Sequence, residues 1–147
     1  MKTERNSEMR AVLFDVDGTL ADTECDGHRL AFNTAFAEFG LTWDWDTELY
    51  YGELLTITGG KERIRHYLEK YVPDELSRSG LDDWIAGLHQ AKTRYFVALL
   101  ERGEIPLRPG VARLIHELRA ANIKIAIATT TTVENVTTLL KSTLGED

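Results

Sequence analysis

A short apolar run leads directly into two closely spaced carboxylates in the sequence AVLFDVDGT, residues 11–19. Continuous apolarity over residues 11–14 is typical of a strand buried on both faces of a parallel sheet. Asp15 and Asp17 follow at once, and Gly18 frees the backbone to turn. At such a turn one carboxylate can attack an electrophile while its neighbour transfers a proton. The pattern therefore predicts a catalytic turn at the end of a buried strand.

The DVDG sequence also occurs in plain turns and in calcium-binding loops. An Asp-Gly pair after a strand is often only a turn, and the strand context favours the catalytic interpretation over that one. A calcium-binding EF-hand loop requires its glycine at the sixth position and a preceding helix, whereas here glycine is fourth and follows a strand. Paired carboxylates do suit a hard cation such as Mg²⁺, so Asp15 and Asp17 are also the predicted metal ligands.

A second apolar run, residues 123–128, ends in the four threonines 129–132. Open α/β sheets bind ligands at the carboxyl ends of their strands, which is where these hydroxyls fall. Hydroxyls and free amides at a strand-to-helix junction can hold an anion, which predicts a phosphate contact at Thr129. The alternative is a helix cap, since Thr131 and Glu134 fit a capping box, and both roles can coexist.

Between the two predicted strands the apolar residues recur with helical spacing. The predicted fold class is α/β: a Rossmann-like core with two recognisable parallel strands, interrupted by an inserted α-helical cap. The core comprises residues 10–24 and 104–147, and the cap comprises residues 25–103. Two strands alone leave unpaired apolar edges, so we expect a dimer, an exchange of elements or aggregation through the exposed sheet edge.

Composition limits the classes of function. The 147 residues are 43% hydrophobic and 28% charged, which argues against disorder. The net charge of −7 argues against nucleic-acid and membrane-surface partners. The single cysteine rules out an internal disulfide framework, and no apolar run approaches the about 20 residues of a membrane span. A cytoplasmic globular protein is the expectation.

The predicted cap contributes further candidates. The sequence TGGKER, residues 58–63, places Lys61 and Arg63 in the first turn of a predicted helix. Cations are slightly unfavourable at that end of a helix, which favours an anionic ligand over a merely solvated helix start. His28 is a candidate proton shuttle, against the default expectation of an exposed helical histidine.

Taken together, these motifs resemble the haloacid dehalogenase superfamily. The resemblance rests on FDVDGTL, residues 14–20, followed by a helical cap and then IAIATT, residues 125–130, and it extends over residues 10–147. Residues 26–29, 58–63 and 128–132 look like the branch that occurs with Calvin-cycle genes and dephosphorylates xylulose-1,5-bisphosphate. That branch is similar to β-phosphoglucomutase.

The resemblance implies a role for each candidate residue. Asp15 would be the nucleophile that forms an aspartyl-phosphate intermediate, and Asp17 would be the general acid and base. Mg²⁺ would be held by Asp15 and Asp17. The phosphate would be bound by Gly18, Thr129 and Thr130. The sugar or its distal phosphate would be contacted by Glu24, His28, Lys61 and Arg63.

The family's third-motif lysine and fourth-motif acidic pair have no counterpart in the sequence. Lys141 and the carboxylates Glu146 and Asp147 follow Thr129 too closely to take those places. The chain is therefore interpreted as the truncated, N-terminal part of a phosphatase for a small sugar phosphate or bisphosphate. A phosphomutase of the same architecture and a non-catalytic module that binds a phosphorylated ligand or a partner are the alternatives.

Overall fold

The α/β core is built on one pair of parallel strands. The computed structural model describes residues 9–129 and 131–145. Strand β1 is Ala11–Phe14 and strand β2 is Lys124–Ile127, and they pair in parallel from Ala11 opposite Lys124 to Phe14 opposite Ile127. The Ala128 N–H donates to the Phe14 carbonyl at 2.8 Å, so the ladder continues by one residue. The carboxyl ends of the two strands therefore lie side by side.

Helices make up most of the remaining structure. A π-helical stretch, Glu24–Arg29, runs directly into helix α1, Leu30–Glu38. The other helices between the strands are α2, Thr47–Gly52; α3, Gly60–Tyr71; α4, Leu81–Glu101; and α5, Val111–Ala120. Helix α6, Val133–Leu144, follows β2, and short 3₁₀ turns occupy Leu54–Thr56 and Pro73–Ser77. The predicted α/β class with a largely helical insertion is confirmed.

Buried apolar side chains form two clusters. The first lies against the sheet and includes Phe14, Leu118 and Leu139. The second is rich in aromatic residues and is centred on Trp45 and Phe32, whose ring centroids are 4.6 Å apart. Helix α4 contributes to both clusters: its amino-terminal part to the aromatic one and its carboxyl-terminal part to the one at the sheet. This helix therefore connects the two centres of packing.

The sheet is covered on one face only in the part of the chain that the structure describes. Leu118 of α5 and Leu139 of α6 pack in the same cluster as Phe14, because both helices that flank β2 lie on the same side of the sheet. On the opposite face Leu13 is 67% exposed, and its neighbour Ala126 is also exposed. The prediction that β1 is buried on both faces is therefore wrong for this part of the chain.

Among the residues described, none forms a helix with both the length and the apolarity to cross a bilayer.

Candidate active site

The two aspartates lie in a compact turn directly after β1. The Val16 N–H donates to Asp15 Oδ1 at 2.8 Å, and the Leu20 N–H donates to the Val16 carbonyl at 2.9 Å. Gly18 has φ +74°, in the left-handed region that favours glycine, and its N–H donates to the Ala21 carbonyl at 2.8 Å. The turn leaves Asp15 exposed at the end of the strand and Asp17 half-buried.

Asp17 is held by a buried hydroxyl. Thr23 is 2% exposed, and its Oγ1 donates to Asp17 Oδ1 at 2.5 Å. A hydroxyl has one proton to give, so this contact fixes one carboxylate oxygen and leaves Oδ2 for other partners. Sequence reasoning missed Thr23, although a hydroxyl six residues after an aspartate, just before a helix, was a signal available in the sequence.

The turn is also tied to a distant segment of the chain. Arg108 donates from its backbone N–H to the Leu20 carbonyl and from Nη1 to the Gly18 carbonyl, each at 2.8 Å. An antiparallel bridge between Ala21 and Leu107 adds to this connection. No local pattern could have identified Arg108, because it lies 90 positions from Gly18.

The threonine run follows β2 at the same end of the sheet as the two aspartates. Thr129 is half-buried and lines a small cavity together with Thr131 and Thr137. The N–H of Thr131 approaches Thr129 Oγ1 at 3.3 Å. Thr130, for which a phosphate contact is predicted, lies outside the described residues, so that contact stays a prediction.

The predicted helix cap at Thr131 is wrong by one residue. Thr132 has the extended conformation of an N-cap, and its side chain accepts from the Asn135 N–H at 3.3 Å. The reason is that the backbone stays non-helical through Thr132, so helix α6 begins at Val133.

A buried tyrosine connects two of the predicted substrate-binding residues. Tyr50 is fully buried, and its hydroxyl donates to Glu24 Oε2 and accepts from Arg63 Nη1, both at 2.9 Å. Arg63 also donates to two backbone carbonyls, to Leu54 from Nε at 2.9 Å and to Ile57 from Nη2 at 3.2 Å. Burial, followed by the charge of Glu24, raises the pKa of Tyr50, so the hydroxyl stays protonated.

His28 holds a buried lysine. Lys92 Nζ lies 2.8 Å from His28 Nδ1, and the imidazole stacks on Phe96 with a centroid separation of 3.9 Å. Burial, with the charge of Lys92 second, lowers the pKa of His28 to about 3, so the ring is neutral and accepts from the ammonium. The expected exposed histidine is thus half-buried, and it is not protonated at neutral pH.

Lys92 places a positive charge near the aspartate turn. It is only 8% exposed, and burial lowers its pKa to about 8, against the opposing charge of Glu24. Arg63 and Asp17 also act on it electrostatically. The structure therefore joins Glu24, His28 and Arg63 with Lys92 into one polar cluster next to Asp17. Sequence reasoning missed Lys92 and Tyr50, which lie within helical apolar patterns.

Lys61 does not share these contacts. It is exposed on α3 and lines a shallow cavity with Arg65 and Asp82. Arg63, two residues further along, instead points its guanidinium towards Tyr50 and the carbonyl of Leu54. The helix therefore separates the two cations that the sequence placed in one anion site.

The donor set of the turn fits a hard divalent cation. The Asp17 backbone carbonyl accepts no backbone N–H from the described chain, and the Asp15 carboxylate, two residues earlier in the same turn, is exposed. Oxygen donors of this kind suit Mg²⁺, which keeps several waters and shares its ligands with substrate phosphates. Within the described ranges no three His, Cys, Asp or Glu side chains cluster as a larger metal site.

An α/β core with aspartates at the end of its first strand, interrupted by helices, defines a class of hydrolases. The sequence matches haloacid dehalogenase-like hydrolases over residues 9–147, and the chain belongs to that family, as its motifs predict. It is 50% identical over 139 residues to "Protein CbbY, plasmid" of Cupriavidus necator, covering 95% of this chain and 54% of that protein. It is 44% identical over 143 residues to the "CBBY-like protein" of Arabidopsis thaliana, covering 93% and 44%.

A solved structure of a CbbY protein is also similar to this chain. A crystal structure of a CbbY mutant from Rhodobacter sphaeroides, in complex with xylulose-(1,5)bisphosphate, is 48% identical with a TM-score of 0.69. The match covers 95% of this chain and 59% of that one. The chain thus spans about half the length of the curated relatives it matches.

Proposed function

We propose that the chain is the nucleophile-bearing part of a Mg²⁺-dependent phosphatase for a sugar bisphosphate. The observation that carries the proposal is the exposed Asp15 at the end of β1, beside an Asp17 held by Thr23. The substrate class follows from the relative of 48% identity whose structure contains xylulose-(1,5)bisphosphate. The parallel register supports a phosphate subsite between this turn and Thr129.

The chemistry proceeds in two displacements. The Asp15 carboxylate attacks phosphorus, the P–O bond to the sugar breaks, and Asp17 gives its proton to the leaving alkoxide. Asp17, now a base, takes a proton from water, which attacks the aspartyl phosphate to release inorganic phosphate and restore Asp15. Mg²⁺ held by Asp15 and the Asp17 carbonyl would neutralise charge that otherwise repels the attacking carboxylate.

The remaining candidates divide between the two parts of the fold. We assign residues 10–24 and 104–147 to the core and residues 25–103 to the cap. The aromatic cluster lies wholly within the cap range, whereas the cluster at the sheet also includes Phe96 and Leu100 from the end of α4. Gly18, Thr129 and Thr130 would bind the transferred phosphate. The sugar and its distal phosphate would be bound by Glu24, the last residue of the first core segment, and from the cap by His28, Lys61 and Arg63.

The test is to trap the phosphoryl group on the protein. The chain is mixed with Mg²⁺ and xylulose-1,5-bisphosphate labelled in phosphorus, then quenched in acid, and protein-bound label and free phosphate are counted. We expect label that hydroxylamine removes, with none in Asp15→Asn. Asp74→Asn, which changes an exposed carboxylate far from the turn, is the matched control.

The outcomes separate the alternatives. Free phosphate that appears with the label supports a phosphatase, whereas label retained without phosphate release supports the phosphomutase. Bisphosphate binding with neither label nor phosphate release supports the non-catalytic module. Equal labelling of Asp15→Asn would contradict the assignment of the nucleophile.

A further inference from the structure

The Tyr50 hydroxyl stands between two opposite charges that would otherwise pair. It donates to Glu24 Oε2 and accepts from Arg63 Nη1, each at 2.9 Å. In the described part of the chain the ion pairs do not include a direct one between Glu24 and Arg63. Glu24 and Arg63 are both half-buried, and a carboxylate and a guanidinium in such surroundings usually meet directly, because that contact compensates both charges. Here a neutral group keeps them apart.

We propose that Tyr50 is a positioning residue that holds Glu24 available for sugar hydroxyls and Arg63 available for the distal phosphate. The inference rests on the proposed function. It adds that the Tyr50 hydroxyl, by keeping Glu24 and Arg63 apart, determines selectivity for a bisphosphate over inorganic phosphate.

The direction of the hydroxyl follows from the number of its protons. A tyrosine hydroxyl has one proton, and a guanidinium can only donate, so that proton goes to Glu24 and a lone pair faces Arg63. Tyr50 is fully buried and cannot exchange these partners for water. The carboxylate consequently keeps Oε1 for a further donor.

Arg63 is held from the other side by the protein backbone. The Leu54 and Ile57 carbonyls accept from Nε and Nη2, and the guanidinium carbon lies 5.2 Å from the Tyr50 ring centroid. A planar guanidinium fixed at three nitrogens cannot rotate to follow a moving carboxylate. When the Tyr50 hydroxyl is removed, we therefore expect the Glu24 side chain to change position while Arg63 stays in place.

Lys92 is an alternative ion-pair partner for Glu24. Lys92 is buried, held by His28, and subject to the charges of Glu24 and Arg63. Without the Tyr50 proton, we expect Glu24 to pair directly with Lys92 or Arg63. Such a pair cancels the positive charge that a distal phosphate needs.

The experiment compares Tyr50→Phe with Tyr71→Phe by calorimetric titration. Tyr71 also donates to a carboxylate, that of Glu53 at 2.8 Å, but its cluster does not include Glu24 or Arg63. We expect Tyr50→Phe to weaken binding of xylulose-1,5-bisphosphate about tenfold or more, since a hydrogen bond to a charged group is lost. Inorganic phosphate should bind both variants within about twofold of the unchanged chain. Circular dichroism and urea unfolding check that each variant folds.

A double-mutant cycle with Glu24→Gln provides a readout that a purely structural role would not change. If Tyr50 acts through Glu24, Glu24→Gln costs bisphosphate affinity in the unchanged chain and much less in the Tyr50→Phe background. Additive losses, or a Tyr50→Phe variant that is less stable but binds bisphosphate normally, would overturn the inference alone. An unchanged chain that binds no bisphosphate would overturn the proposed function, and the inference with it.

Discussion

His28 and Lys92 show how this chain keeps a charge in its interior. A lysine as buried as Lys92 is rare unless its ammonium is compensated. The imidazole of His28 gives it one hydrogen bond, and the carboxylates of Glu24 and Asp17 oppose its desolvation. The arrangement depends on a neutral His28, because a protonated ring would face the ammonium with a second positive charge.

The stability of the chain should therefore depend on pH through His28. Its pKa is about 3 in the folded chain and near 6.5 when unfolded, so between these values the unfolded state binds the extra proton. The contribution of His28 to stability is fully present above pH 6.5 and is lost as the pH is lowered towards 3, by at most about 5 kcal/mol. Urea unfolding should show that the free energy of unfolding differs less between pH 7 and pH 5 in His28→Gln than in the unchanged chain. The glutamine retains an acceptor for Lys92.

His116→Gln is the control for this measurement, since His116 is exposed on α5. It should keep the pH dependence of the unchanged chain. Identical pH dependence in His28→Gln and the unchanged chain would show that His28 titrates normally.

At the residue scale, the sequence predicted what local pattern determines. Asp15, Asp17 and Thr129 follow strands, and their place at one end of the sheet comes directly from parallel pairing. Thr23 was missed although it lies only six residues after Asp17, whereas Arg108 could not be assigned, because its contact with the turn arises only when segments 90 positions apart pack together. Lys92 did leave a signal: it takes a position on the apolar stripe of α4, four residues after Leu88 and four before Phe96.

Among the elements, the π-helical stretch Glu24–Arg29 packs most tightly at Gly27. A Cβ added to Gly27 would lie 2.7 Å from both Ile105 Cδ1 and Phe96 Cε2. Side chains in a close-packed interior yield little, so glycine is needed here for space. The stretch can approach α4 because this residue has no side chain.

Gly27→Ala should lower the free energy of unfolding by about 1–3 kcal/mol, because the added methyl group overpacks the contact with Phe96. The control is Gly52→Ala, in helix α2, where nothing lies within 4 Å of the added Cβ. That variant should match the unchanged chain or be more stable by up to about 1 kcal/mol. The free energies of unfolding of both variants are measured in urea. Equal values for Gly27→Ala and Gly52→Ala would contradict the packing argument.

The elements themselves were predictable to different degrees. The first strand lies at the apolar run that indicated it, because a short continuous apolar run directly before a turn is typical of a buried strand. The start of α6 was missed by one residue, because four successive threonines offer equivalent caps and only the backbone geometry selects Thr132. The π-helical turn left no distinct pattern in the sequence.

At the scale of the whole molecule, the described part of the chain leaves one face of the sheet uncovered. Leu13 is 67% exposed in the middle of a strand, with exposed Ala126 beside it on β2. Exposed apolar strands and free sheet edges favour pairing with another chain. The sequence predicts association through the sheet edge, and we expect this uncovered face to take part in it as well.

Leu13→Thr should reduce self-association measured by sedimentation velocity at increasing concentration, because it removes apolar area from that face while keeping a residue that favours strands. The change leaves the net charge at −7. Val133→Thr alters an exposed apolar residue, 76% accessible, that lies at the start of α6 and not in the sheet, and should leave association unchanged. A chain that stays monomeric at high concentration before any substitution would refute this prediction.

The two bonds from Arg108 to the aspartate turn also bear on the order of events during synthesis. Gly18 leaves the ribosome long before its partner, which lies 90 positions later in the chain. The helices in between depend mainly on contacts nearer in sequence and can form first, since long loops close slowly. The turn is thus made well before it is completed, and a nascent chain released before Arg108 would carry both aspartates without the two hydrogen bonds that connect Arg108 to the turn.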